Sequence, residues 1–177
     1  RAQLQVAADD LVIAVLPGSR GSEVGLMLEP VLQAAQILTN KMPERRISVL
    51  IPCVNESRRQ QIEHGLQQFP QLPVTLVNND ARSALVAADA AMIKSGTSTL
   101  EAMLLRRPMV VSYRLGNLSY RIASRLVNTP FIALPNILAG QALVPELIQD
   151  AATPEAIAQA LVEHLEAVAD SSRQTNA

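Results

Sequence analysis

"LVIAVLPGSRGSE", residues 11–23, decides the fold. Six consecutive aliphatic residues run into Pro17, Gly18, Ser19, Arg20 and Gly21, and a helical pattern begins at once. A strand that is apolar on both faces belongs in a parallel sheet covered on both sides. A glycine-rich turn from such a strand into a helix gathers backbone N–H groups and the positive end of the helix dipole at one point. Gly18 and Gly21 allow close backbone approach and positive φ. Ser19 and Ser22 offer capping or donor hydroxyls, Arg20 adds a planar fork suited to phosphate oxygens, and Glu23 complements the helix N-terminus. The turn reads as an anion site or as an ordinary Gly-rich turn. It is not a P-loop, because no Gly-Lys-Ser/Thr follows, and it is not GxGxxG.

Working outward, strands and helices alternate. The spacing predicts a helix over 22–41 with Pro30 kinking it or moving its start. Strands follow at 47–52, 73–77, 89–94 and 108–113. Between them lie helices from an Asn55 cap to about Gln68, over 81–88 and over 97–105. A helix over 118–127, a short sixth strand at 131–134 and a last helix opened by Thr153 and Pro154 complete the pattern. Residues 1–10 and 168–177 read as frayed. The expected fold is α/β, a Rossmann-like doubly wound parallel sheet, with ligands outside the carboxyl ends of the strands.

The composition of the 177 residues bounds the class. Hydrophobic residues make up 49% but aromatics only 2%, so the core must be aliphatic. A net charge of -1 argues against nucleic-acid binding. The single cysteine, Cys53, excludes an internal disulfide framework and fits a reducing compartment. No apolar run approaches the roughly 20 residues of a spanning helix. The chain starts at Arg1 without Met and is expected to be a piece of a longer protein. His64 and His164 have no ligand-spaced partner, so no metal is expected.

Two further regions carry candidate chemistry. "KSGTSTLEA", residues 94–102, places Ser95, Gly96, Thr97, Ser98 and Thr99 at a helix start, with Glu101 a turn later. The hydroxyls suit phosphate and the carboxylate suits a vicinal diol such as ribose. Ser98 with Glu101 also fits a capping box, and the two roles are compatible. Beyond it, Tyr113 and Arg114 end a strand where a ligand would lie. Arg121 and Arg125 share a helix face and, with Arg106 and Arg107, form either a basic patch for an acidic lipid or an ordinary solvated face. "LPNILAGQ", residues 134–141, shows no clear period. It reads as an irregular apolar loop holding Asn136, Gly140 and Gln141 beside the ligand edge.

Three blocks, "LPGSRGSEV", "SGTSTLEAMLLRRPMVVSYR" and "LPNILAGQALVPELIQ", in this order and spacing, resemble the C-terminal half of the lipid-A-disaccharide synthase family, over nearly all of residues 11–165. The resemblance implies one half of a GT-B glycosyltransferase, with residues 1–177 a single C-terminal UDP-sugar-binding domain and the N-terminal acceptor domain absent from this chain. It implies transfer of 2,3-diacylglucosamine from its UDP derivative to 2,3-diacylglucosamine 1-phosphate. The products are the β-1,6 disaccharide and UDP, with inversion and without metal or cofactor.

By the same resemblance, the 18–22 and 95–98 turns would hold the diphosphate and Glu101 the ribose, while Arg20 or Arg114 would neutralise the leaving group. Tyr113, Asn136, Gly140 and Gln141 would complete the donor site, and the general base would come from the missing domain. A cytoplasmic, peripheral place on the inner face of the inner membrane, an anionic membrane surface as partner and a possible homo-oligomer follow from it too. A UDP-sugar 2-epimerase half would want more acidic and His residues at the cleft than Glu23 and Glu101. A non-enzymatic module for UDP or anionic lipid is the other alternative.

Overall fold

The computed structural model describes residues 1–116 and 130–175, with side chains through residue 167. Among the described residues, six strands form one parallel sheet in the order β3-β2-β1-β4-β5-β6: β1 Leu11–Leu16, β2 Ile47–Cys53, β3 Val74–Asn78, β4 Ala90–Lys94, β5 Met109–Tyr113 and β6 Glu146–Ile148. The helices are α1 Gly21–Lys41, α2 Glu56–Leu66, α3 Ala81–Ala87, α4 Ser98–Leu104, α5 Leu134–Ala139 and α6 Pro154–Thr175. Chain order reverses between β1 and β4, and this switch point opens a crevice at the strands' carboxyl ends.

The period of two explains the layers. Ile13 and Val15 of β1 face α1, α2 and α6, packing with Met27, Leu32, Ile62 and Leu161. Val12, Ala14 and Leu16 face the other side, with Leu85 of α3, Ala102 of α4 and Ala133. All six β1 residues are buried, as a central strand covered on both faces requires. Pro30 is buried inside α1, which runs through it and begins upstream, at Gly21. The proline's missing N–H leaves the Leu26 carbonyl without its helical donor.

Two expectations are corrected. The sixth strand is Glu146–Ile148, not 131–134, and it pairs with β5 through Val111↔Glu146 and Tyr113↔Ile148. The Glu146 carboxylate accepts from the Ile132 and Ala133 N–H groups at 2.8 and 2.9 Å, so those donors are withdrawn from any ladder. The chain then turns into α5, with Pro135 in its first turn and Gly140 (φ 65) closing it in the left-handed region. "LPNILA" is therefore a helix and not an irregular loop.

The N-terminal residues are not frayed either. Val6 is buried, and the Arg1 guanidinium donates to the Ala87 carbonyl at 3.0 Å and pairs with Asp89 at 2.6 Å. At the other end α6 continues through Thr175. The helix expected at 118–127, with Arg121 and Arg125, lies outside the described residues.

Candidate functional site

The crevice at β1 and β4 is a cleft of about 640 Å³ lined by the turns 18–23 and 94–98, with Asp80, Arg82 and Glu101 also lining it. Gly18 also lines it. At φ 123 this residue is in a region that L side chains avoid, and a Cβ there would stand 2.6 Å from Glu23 Cβ and 2.8 Å from Glu23 Oε2. Gly21, the first residue of α1, has no positive φ; it is small because the Arg58 guanidinium packs where a Cβ would be.

Neither Ser19 nor Ser22 caps α1. The N-cap is Arg20. Its N–H and that of Ser19 donate to Glu23 Oε2 at 3.2 and 3.0 Å. The Arg20 guanidinium and the Lys94 ammonium donate to Glu23 Oε1 at 3.1 and 3.0 Å. Lys94 and Glu23 are nearly enclosed, with side chains 12% and 14% exposed, whereas Arg20 is 80% exposed. Burial pushes the Glu23 pKa up, but the Lys94 bond, the two backbone bonds and the Lys94 charge outweigh it and hold the carboxyl at about 2. Lys94 also lies 4.6 Å from the centre of the Tyr113 ring, a cation–π contact that fixes the ammonium from below.

At the second turn the hydroxyls divide. Ser95 Oγ donates to the Ile132 carbonyl, and Thr99 Oγ1 to the Gly96 carbonyl, so both serve the fold. Ser95, Gly96, Thr97 and Ser98 all line the cleft, and Glu101 is exposed at it. The capping box does not form: the N-cap is Thr97 in helical geometry, and Ser98 is already in the first turn of α4. The Glu101 carboxylate makes no hydrogen bond to the described residues; its backbone carbonyl accepts from the Leu105 N–H at 3.0 Å.

The other predicted residues are placed elsewhere. Arg114 donates to the Ala152 carbonyl at 2.6 Å, next to the start of α6. Asn136 is 1% exposed, and its amide is held by Leu143, Val144 and Glu146. Gly140 ends α5, and Gln141 is exposed after it. None of these four lines the cleft. Sequence reasoning missed Lys94; its signal was a single charge ending the apolar run AAMI.

The strand order and the switch point define the class, an α/β domain with a doubly wound parallel sheet that is one half of a GT-B fold. Two solved structures share the fold. The heptosyltransferase of E. coli described as "ADP-heptose lps heptosyltransferase II" aligns with TM-score 0.57 at 14% identity, covering 93% of this chain and 49% of that one. A family 9 glycosyl transferase from Veillonella parvula aligns with TM-score 0.55 at 10% identity, with the same coverage.

The chain belongs to the lipid-A-disaccharide synthase family: the family model "Lipid-A-disaccharide synthetase" matches residues 1–177. It is 53% identical over 161 residues to the lipid-A-disaccharide synthase of Pseudomonas aeruginosa strain UCBPP-PA14, and 50% identical over 176 residues to that of Pseudomonas entomophila. These alignments cover 91% and 99% of this chain but 42% and 45% of the relatives, so the chain spans under half their length.

Proposed function

We propose that this chain is the donor-binding half of a lipid-A-disaccharide synthase. It would hold UDP-2,3-diacylglucosamine while a second half presents 2,3-diacylglucosamine 1-phosphate. The observation that carries the reading is the switch-point cleft itself, where the N-terminus of the long helix α1, Arg20, Lys94 and the Thr97–Ser98 turn converge on one space. Inverting transfer breaks the bond from the anomeric carbon to the UDP oxygen, and the acceptor 6-hydroxyl attacks from the opposite face, its proton passing to a general base in the second half. Charge grows on the departing diphosphate. Prepositioned N–H groups and cations stabilise such charge without reorganising, and Arg20 and Lys94 supply them here. Glu101 would accept from the two ribose hydroxyls.

The substrates are acylated, so the same reading places the enzyme against an anionic bilayer as a peripheral protein. Among the described residues no helix is long and apolar enough to cross a membrane. Leu104, 78% exposed and followed closely by the exposed Arg106, offers an apolar and basic edge for that contact.

The test is calorimetric titration of the chain with UDP beside an assay for disaccharide. Weak saturable binding with no turnover is the expected result. Turnover by the chain alone, or UDP binding no tighter than that of uridine, overturns the reading.

A further inference from the structure

The Glu23 carboxylate is surrounded as a bound anion would be. It takes two successive backbone N–H groups, those of Ser19 and Arg20, at 3.0 and 3.2 Å on one oxygen. It takes the Arg20 guanidinium and the Lys94 ammonium at 3.1 and 3.0 Å on the other. A capping box would need only the Arg20 N–H. Four donors on one carboxylate exceed that need, and Gly18 has no Cβ where one would push the carboxylate out of the turn.

The residues that supply these four donors, Ser19, Arg20 and Lys94, all line the cleft. Among the described residues, the charged ones lining it are Arg20, Arg82 and Lys94 against Glu23, Asp80 and Glu101, which balance formally while Glu23 stays. An entering diphosphate then meets a carboxylate on its own donors, and like charges at such distances repel.

We propose that Glu23 is an internal ligand of the anion cradle, displaced from Ser19, Arg20 and Lys94 when a diphosphate enters, and that this exchange sets how tightly the diphosphate is held. The carboxylate turns outward about its own side-chain torsions, and the phosphate oxygens take the N–H groups and the ammonium. The donor set is never left bare: carboxylate and phosphate alternate on it. Product UDP would leave with the carboxylate returning. The proposal rests on the reading of the cleft as a diphosphate site, though not on uridine as its base.

The experiment uses the chain and its Glu23→Gln variant, titrated with UDP, uridine and inorganic pyrophosphate at a temperature where both are folded. Neutralising the competitor should tighten UDP and pyrophosphate by about fivefold or more and leave uridine unchanged. In the parent chain, labelled at the Glu23 carboxyl carbon, saturation with pyrophosphate should move that NMR signal together with the Ser19 and Arg20 amide signals.

Weaker or unchanged binding of pyrophosphate and UDP by Glu23→Gln overturns the proposal and leaves the UDP reading intact. So does a Glu23 carboxyl signal that stays put at saturation. Tighter pyrophosphate binding with UDP no better than pyrophosphate supports the exchange but removes the nucleotide. Failure of both chains to bind any of the three overturns both.

Discussion

Glu101 on α4 and Asn136 on α5 stand on two helices that pack against each other, and their polar groups meet opposite fates. Glu101 is exposed at the cleft. Asn136 is buried, with both halves of its amide engaged: it donates to the Val144 carbonyl and Glu146, and accepts from the Leu143 and Val144 N–H groups. The β1/β4 side of the carboxyl edge thus leaves Thr97, Ser98 and Glu101 lining the cleft, and the β5/β6 side consumes its polar groups in building itself. A buried polar network that is fully satisfied fixes one local structure. A turn meant for a ligand must keep donors that something else can take over.

The largest expected effect lies on the consuming side. Asn136→Ala leaves the Val144 N–H and carbonyl buried without their partner and frees Glu146 from one contact. Each orphaned buried group costs about 1–3 kcal/mol, so a loss near 3–4 kcal/mol is expected in urea unfolding. UDP affinity, measured where the variant is still folded, should not change. A variant of normal stability that has lost UDP binding would move this block to the ligand side and break the comparison.

Next comes acid. The Glu23 carboxyl titrates near 2 in the folded chain against an ordinary 4.5, so its stabilisation is complete above about pH 4.5 and disappears as pH falls towards 2. A displacement of about 2.5 units corresponds to roughly 3 kcal/mol as an upper figure. The stability difference between parent and Glu23→Gln should therefore shrink from that size at pH 6 to near zero at pH 2. A difference that is flat with pH would mean that the ion pair with Lys94 contributes nothing.

The sequence made the presenting side legible and hid the consuming one, for a physical reason. β1 to β5 and the first two turns are specified locally: an aliphatic run, then Gly and hydroxyls, then helical spacing, all within about 12 residues. The structure of 131–148 is specified at a distance. Glu146 binds the backbone at 132 and 133, and Asn136 binds the backbone at 143 and 144, so neither contact has a periodic signature. A six-residue helix is also too short to show a 3.6 period. In the first turn, Glu23 was visible as a helix-start carboxylate, but its partner Lys94 lies 71 positions away and only the parallel pairing of β1 with β4 brings them together.

A smaller effect, and one on ligand alone, is expected at Glu101. Glu101→Ala should weaken UDP by about 1–3 kcal/mol, the range for hydrogen bonds to a charged group. Its stability should stay within about 0.5 kcal/mol of the parent, since the side chain is exposed and forms no capping box. Deoxyuridine diphosphate, which lacks one ribose hydroxyl, sharpens the reading: the parent should distinguish it from UDP and the variant should not. Equal discrimination by both chains would make Glu101 an ordinary surface carboxylate.

The smallest effect is expected at Arg114, which the family resemblance would assign to the leaving group and the structure places on the consuming side. Its guanidinium donates to the Ala152 carbonyl just before α6. Beside it the Gln149 side chain accepts from the Leu115 N–H at 2.6 Å and donates to the Leu115 carbonyl at 3.1 Å. Residues 114–115 are thus stapled to 149–152 by three bonds, two of which survive when Arg114 is changed. Arg114→Gln should therefore cost only about 1 kcal/mol of stability, the net value of one hydrogen bond, and leave UDP affinity where it was. A tenfold weaker UDP with unchanged stability would show that the guanidinium leaves Ala152 when ligand arrives. Polar groups on the β5/β6 side would then exchange between the fold and the ligand just as Glu23 is proposed to do, and the contrast between the two sides would rest on Asn136 alone.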